Sequence, residues 1–463
     1  MSAAGLVAPP VPTGGFDLVQ AVRTAPTPTR IKALLYAVWA LSGLLFLVGE
    51  GALSGARSAM KTVGMDTAPS IIAAQEVSSA LADLDANAGN YLLGNRTHQA
   101  ASVEAFEQRR TQITARLVDA AANITYGNEE KAPLNTLFDG LGRYLELVSE
   151  TRYRKDIGDA VGAASMYGAA SDLMHQRLIP ASDTLDAANR RHLDLQYHQQ
   201  QIRSLTAATG AGVVGGLLVF VLIGAQLFLA RRMRRIFNAP LLGATAIAIL
   251  FSLYLVTRIT AAREDLRVAK EDAFESIHAL WKARAIAYDA NGDETRYLLG
   301  GPRATSFEQA YRDKVQKLAS APQVDDKVLT SRKLPVGYKG LFADELNNIT
   351  FPGEREAAVR MVRAFGEYDR VDQRMRTLER AGKHDQAVEL CIGSGADQSN
   401  AAFDRFDKAL LDVIAINRKE FDATIGEGMG VLGTAAKLGP MASILVALLA
   451  LFGLRARLRE YAA

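Results

Sequence analysis

Apolar positions follow two different rules along the 463-residue chain. In four stretches, Ala33 to Gly49, Leu205 to Ala230, Pro240 to Thr257 and Leu438 to Leu454, they run on without an Asp, Glu, Lys or Arg. A bilayer needs ~20 mainly apolar residues per spanning helix, so these runs predict four transmembrane helices over 33–53, 205–230, 240–257 and 438–454. Elsewhere apolar residues recur at spacings of three and four. Val77, Leu81, Leu84, Ala88 and Tyr91 do so early, Phe274, Ile277, Trp281, Ala285 and Tyr288 later, and Phe403, Phe406, Leu410 and Val413 near the end. That period belongs to helices with one buried face, and no alternating strand pattern competes with it. The expected fold class is an all-α membrane protein whose four spans hold two four-helix-bundle domains, 54–204 and 258–437.

Charge turns these spans into a topology. Arg23, Arg30 and Lys32 precede the first run, Arg231, Arg232, Arg234 and Arg235 crowd the short link 231–239, and Arg455, Arg457 and Arg459 follow the last run. Basic residues concentrate on the cytoplasmic side, which puts both termini and the link inside and both bundles outside. The tail 1–32 carries Pro9, Pro10, Pro12, Pro26 and Pro28 and is expected to be disordered; 455–463 is a second, short tail. The first run is read as an uncleaved anchor rather than a signal sequence, since its loss would leave the first bundle tethered at one end only.

An internal repeat relates the two outer segments. Asp85-Ala86-Asn87, Tyr91-Leu92-Leu93-Gly94 and Arg96 recur as Asp289-Ala290-Asn291, Tyr297-Leu298-Leu299-Gly300 and Arg303, and Phe106-Glu107 recurs as Phe307-Glu308. Asn123 to Tyr126 recurs as Asn348 to Phe351, and Gly142 to Tyr144 as Gly366 to Tyr368. The expectation is a duplication of the unit span, bundle, span. Gly94 and Gly300 are expected to end helices in the left-handed region at the membrane-distal turns, with short extra segments after Gly158 and Gly382. The stretch Pro322 to Leu346 reads as a loop-rich insertion near the membrane.

Chemistry narrows the function by exclusion. There is no Walker-type glycine loop, Gly-x-Ser-x-Gly, Cys-x-x-Cys or His-Glu-x-x-His, so neither an enzyme nor a cofactor or metal is expected. His192 and His198 stand six apart and do not share a helix face. A net charge of +3, with acids and bases interleaved outside the flanks of the spans, leaves no stripe for nucleic acid. The lone Cys391 is assigned to packing. Gln226 and Glu50 are assigned to span edges, and Gly212 and Gly216 form a small-xxx-small pair suited to close helix approach. The polar groups that recur at the distal turns, Asp85, Asn87, Tyr91, Arg96, Asp289, Asn291, Tyr297 and Arg303, are the candidate partner- or ligand-binding residues. Arg231, Arg232, Arg234 and Arg235 are the candidates for cytoplasmic output.

The Asp-Ala-Asn, Tyr-Leu-Leu-Gly and Phe-Glu blocks resemble the four-helix-bundle ligand-binding domains of bacterial chemoreceptors and sensor kinases. Two such domains on four spans, with a Pro-rich tail and almost no cytoplasmic remainder, look most like the actinobacterial GlnX-type membrane sensors. That resemblance implies a multi-pass protein of the bacterial cell membrane. It also implies two partners: an extracytoplasmic amino-acid-binding lipoprotein (GlnH-like) and a cytoplasmic serine/threonine kinase (PknG-like), reached directly or through an adaptor. The function expected is a sensor that relays an amino-acid signal. The alternatives are an envelope scaffold and, third, a transporter component, which the scarcity of polar residues inside the spans disfavours. A chemoreceptor would carry a long signalling hairpin after its second span, and none follows Arg235 here.

Overall fold

The computed structural model of the protein describes residues 26–233, 238–321, 329, 337–393 and 395–460. Residues 1–25 of the expected tail and most of the 322–346 insertion lie outside the described residues, whereas Thr27 to Lys32, expected to be disordered with the rest of the tail, form the first turns of α1. Those described are almost entirely helical, without a strand. In chain order the helices are α1 (Thr27–Lys61), α2 (Ala68–Leu93), α3 (Arg96–Ala122), α4 (Asn128–Asp156), α5 (Ala160–Leu173), α6 (Ile179–Met233) and α7 (Ala239–Arg267). They continue as α8 (Glu275–Leu299), α9 (Ala304–Leu318), α10 (Leu341–Asn347), α11 (Glu354–Arg380), α12 (His384–Ile392) and α13 (Ser399–Arg459).

Single π-helical turns join α1 to α2 (Thr62–Thr67), α5 to α6 (Met174–Leu178) and α7 to α8 (Val268–Phe274) without interrupting the helix. Four unbroken stretches result, Thr27–Leu93, Ala160–Arg232, Ala239–Leu299 and Ser399–Arg459, each containing a segment apolar enough to cross a membrane. All are far longer than the ~20 residues a bilayer requires. The chain divides into two compact units: residues 1–55, 203–261 and 432–463 form one, and 56–202 with 262–431 the other.

The first unit turns apolar side chains outward, Leu47, Phe220, Leu250, Leu253 and Phe452 among them, as a lipid solvent permits. Polar groups inside it bond across helices. Trp39 Nε1 donates to the Ala447 carbonyl (3.0 Å) and Ser42 Oγ to that of Ser443 (3.1 Å), joining α1 to α13. Gln226 reaches α7, donating to Thr245 Oγ1 at 2.7 Å and to the Leu241 carbonyl at 3.2 Å. The glycine that lets α6 and α7 close up is Gly215, where a Cβ would collide with Ser252; Gly212 and Gly216 have no such neighbour. The small-xxx-small pair is therefore not the contact point in this unit.

In the second unit α2 packs along α3 and, more extensively, along α8, so segments from both halves of the sequence share one compact body. Leu81, Leu84, Ile113, Leu137, Tyr144 and Met174 form the core around α2 to α5. Phe342, Phe365, Tyr368, Phe403 and Phe406 form a run of edge-to-face aromatics beside α8, a geometry aromatic rings favour.

Two expectations about the turns are corrected. Gly94 (φ −72°) and Gly300 (φ −73°) are not left-handed. Space is what requires glycine there, because a Cβ at Gly94 would lie 2.7 Å from His98 Cβ and one at Gly300 2.7 Å from the Arg296 carbonyl oxygen. The extra segment after Gly158 is α5, which runs through its π turn into α6, whereas its counterpart after Gly382, α12, is a separate helix.

Candidate functional site

Helix α2 comes close to α8 because Gly89 has no side chain; a Cβ there would lie 2.7 Å from Thr295 Cγ2 and 2.6 Å from the Tyr167 hydroxyl. Beside this contact α8 carries Asp293, Glu294, Thr295 and Arg296 in succession, all buried. Successive helical positions point in different directions, so the run splits into two clusters.

On one face, Arg296 is 3% exposed and holds three carboxylates. Nη1 donates to Asp85 Oδ2, and Nη2 to Asp289 Oδ1 and Asp293 Oδ1, all at 2.7 Å. Asp85, from the first half of the chain, also accepts from Ser171 Oγ (2.9 Å) and the Tyr144 hydroxyl (3.1 Å). Lys314 Nζ lies 2.7 Å from Asp289 Oδ2 and 2.5 Å from Asp293 Oδ2. His175 completes the set, with Nδ1 2.7 Å from the Ser171 carbonyl and Nε2 2.7 Å from Asp289 Oδ1.

Both neighbours of the His175 ring are acceptors, since burial, which favours the neutral acid, is outweighed at Asp289 by Lys314 and Arg296, and its carboxyl is held well below the usual range. Two acceptors at the ring nitrogens favour a proton on each, that is, the imidazolium form. Burial and Arg296 act against that charge, but the hydrogen bond and charge of Asp289 raise His175 above 6.5. Three carboxylates thus meet Arg296, Lys314 and, when it is protonated, His175, the compensation a buried charge cluster needs.

The other face points Glu294 into the α11–α13 side. Ser399 Oγ donates to its Oε2 at 2.7 Å, Cys391 Sγ lies 3.9 Å from the same oxygen, and Oε1 has no partner. Burial first, and then the charge of Asp372, push Glu294 up to about 8. Asp372, bonded to Arg376 Nε at 2.9 Å, is pushed by burial to about 6. At the opposite end of α8, beside Ser276, burial and then the Glu354 carboxylate raise Glu345 to about 8. The Cys391 thiol, pushed well above its ordinary range by burial, is a packed side chain here.

A third feature is a polar cleft of about 470 Å³ bounded by α2, α3, α8 and α13. Arg109 on α3 binds Asp83, Gln112 Oε1 (2.9 Å) and the Tyr288 hydroxyl (3.3 Å). From α8, Arg284 grips Asp407 with Nε at 2.6 Å and Nη2 at 2.8 Å and reaches the Tyr288 hydroxyl at 3.1 Å; that hydroxyl donates to Asp407 Oδ2 at 2.9 Å. The Asn87 amide donates to Asp83 Oδ1 at 2.8 Å. Asp404, at the rim, is raised by burial and by the charges of Asp407 and Asp83.

The residues singled out from sequence divide accordingly. Asp85 and Asp289 meet on one arginine. Asn87 and Asn291 line the cleft. Tyr91 is buried, its hydroxyl donating to Asp156 at 2.7 Å, and Tyr297 lies buried beneath Arg376, 4.6 Å from the ring centre. Only Arg96 and Arg303 are exposed, Arg303 lying 3.6 Å from Asp172. The recurring polar groups are thus mostly internal rather than an accessible surface, because helix packing covers them. Arg231 and Arg232 are exposed at the end of α6; Arg234 and Arg235 lie outside the described residues. The residues that sequence reasoning missed are Arg296, Lys314, His175, Glu294, Asp83 and Arg109. One signal was present: the repeat is two residues longer between Asn291 and Tyr297 than between Asn87 and Tyr91, and the longer version holds the charged run.

Four long apolar helices on an all-helical frame make the chain an all-α, multi-pass membrane protein. More particularly, residues 59–198 match the family described as an actinobacterial sensor domain, which supports a sensing and signal-transducing role. No curated protein and no solved structure matches the chain. The matched region contributes Asp83, Asp85, Arg109 and His175, the first half's share of the cleft and of the ionic cluster.

Proposed function

We propose that the protein is a transmembrane sensor that receives an amino-acid signal outside the cell and relays it to a cytoplasmic partner. One observation carries this reading: each of the four long helices belongs both to the apolar unit and to the unit that holds the sensor-type region, without a break. A ligand with different affinity for two packings of the outer helices shifts their populations, and ~1.4 kcal/mol of difference changes the ratio tenfold. Continuous helices then carry the shift into the membrane. The basic flanks orient 56–202 and 262–431 outward and expose Arg231 and Arg232 to the cytoplasm.

On this reading the input arrives on an amino-acid-binding lipoprotein, and the output goes to a serine/threonine kinase or its adaptor. The two halves descend from one duplicated unit. Supporting that descent, Glu130 and Glu354 each accept from two backbone N–H groups of the repeated Asn-Ile-Thr block, Thr125 and Tyr126 in one case, Thr350 and Phe351 in the other. The first and third π turns also begin at the same offset before Gly94 and Gly300. Crosslinking in cells, with partners identified on both membrane faces, tests the reading. Recovery of a solute-binding lipoprotein and a kinase or adaptor is expected, and partners that are constitutive and indifferent to amino acids would favour an envelope scaffold instead.

A further inference from the structure

The cleft between α2, α3, α8 and α13 holds charge that the fold does not settle. Two carboxylates, Asp83 and Asp404, and the Arg109 guanidinium line it, and the Arg284–Asp407 pair stands behind Tyr288. Arg284 is engaged by Asp407 and Tyr288. Arg109 uses three of its five N–H groups on Asp83, Gln112 and Tyr288, leaving two. Asp404 makes no hydrogen bond to another described residue, yet it is close enough to feel the charges of Arg109, Asp83 and Asp407. The cavity therefore offers a solvent-accessible carboxylate and guanidinium donors that no protein hydrogen bond occupies, beside the Phe403 and Tyr288 rings.

A lone anion entering this space would meet Asp404, and a lone cation would leave the Arg109 donors bare. Among the described residues no group of three acidic, His or Cys side chains is placed to hold a metal ion. A solute with both signs of charge satisfies both walls. The volume of about 470 Å³ falls within the ~300–1,000 Å³ usual for small-molecule sites.

We propose that this cleft binds a small zwitterion directly, its ammonium group on Asp404 and its carboxylate on the free N–H groups of Arg109. The proposal deepens the sensing function, on which it rests, by giving it a ligand site in the chain itself. Its position explains how binding would matter: Arg109 belongs to the first half, Asp404 to the second, and Tyr288 already touches Arg109 on one side and Asp407 on the other. A solute gripped at both ends ties α3 to α13 while Arg109 keeps its bond to Asp83.

The test uses the full-length chain purified in lipid nanodiscs, titrated calorimetrically with each of the twenty common L-amino acids and, for any that binds, with its N-acetyl and methyl-ester derivatives. At least one amino acid should bind, and each derivative, having lost one charge, should bind at least about tenfold more weakly. Asp404→Asn, an exposed position where folding is not at stake, should weaken binding by about tenfold or more, and Ala101→Trp at the mouth of the cleft should abolish it. The proposal is overturned if none of the twenty binds, if the derivatives bind as well as the parent, or if both variants bind like the wild type. Because no lipoprotein is present, a negative result removes the direct site alone, and the crosslinking experiment judges the sensing function separately.

Discussion

Arg296 stands among three carboxylates with almost no access to water, and each depends on it for charge compensation. Removing one partner from a buried ionic cluster strands the rest, at a cost of ~3–5 kcal/mol. Arg296→Met should therefore destabilise the protein by about that much in denaturant unfolding, and a cost below about 1 kcal/mol would mean that water or relaxation already screens the cluster. His175 adds a pH dependence whose sign is fixed. Its folded pKa is raised above 6.5, so its contribution is fully present below that value and is lost as pH rises through the higher folded value. Glu294 works in the same direction from the acid side. Between 4.5 and about 8 the folded protein keeps a proton that the unfolded chain has released, so stability falls as pH climbs through that interval. Glu294→Gln should flatten this part of the profile and raise the apparent Tm most at about pH 8 and above, read by differential scanning in nanodiscs. An unchanged slope would show that Glu294 does not carry it. None of this was legible in single residues, since Asp, Glu and Arg in a polar run ordinarily face solvent.

At the scale of elements the sequence was more informative. A three-and-four spacing of apolar residues identified the helices, and long uncharged runs identified the spans, because burial and lipid each impose a pattern one sequence displays. The π turns were not legible: one extra residue in a helix shifts the apolar stripe by an amount hidden within that same alternation. The repeated Asn-Ile-Thr block was seen, but its purpose was not. It presents two backbone N–H groups to a buried glutamate at the start of the next helix, Glu130 at Thr125 (2.7 Å) and Tyr126 (2.6 Å), and Glu354 at Thr350 (2.8 Å) and Phe351 (2.9 Å). Glu130→Ala leaves both donors unsatisfied and should cost about 1–3 kcal/mol. Glu354→Ala should differ, because it also removes the charge that adds to burial in raising Glu345; the variant should lower Glu345 from about 8 while burial still holds it above 4.5, which carboxyl titration by infrared spectroscopy would detect. Equal effects at the two positions would show that the shared geometry, not the added carboxylate, governs both.

For the molecule as a whole, the sequence suggested two bundles side by side, and the association of the halves came only with the structure. In retrospect α2 gave a hint. Most of its length is buried, including Ser78, Ser79, Asp85 and Asn90, and it has scarcely any charged outer face of the kind that amphipathic helices turn to water. Ser, Ala and Gly on such a helix are equally consistent with a bundle core, so periodicity could not say that the covering surface comes from residues two hundred positions away. The association has a direct consequence for a divided chain. If the chain is cut within the link 234–237 and the pieces are co-expressed, they should co-purify. Arg296 with Asp85 and Thr295 with Asn90 join them in one unit, and Trp39 with Ala447 and Gln226 with Thr245 join them in the other. Arg296→Met in the second piece removes only the first of these ties. Co-purification should then persist through the apolar unit, while the outer segments lose their mutual protection and become susceptible to limited proteolysis between α2 and α3. Retained protection would show that apolar packing along α2 and α8 suffices to hold the halves together, and that the buried charges serve a purpose other than their association.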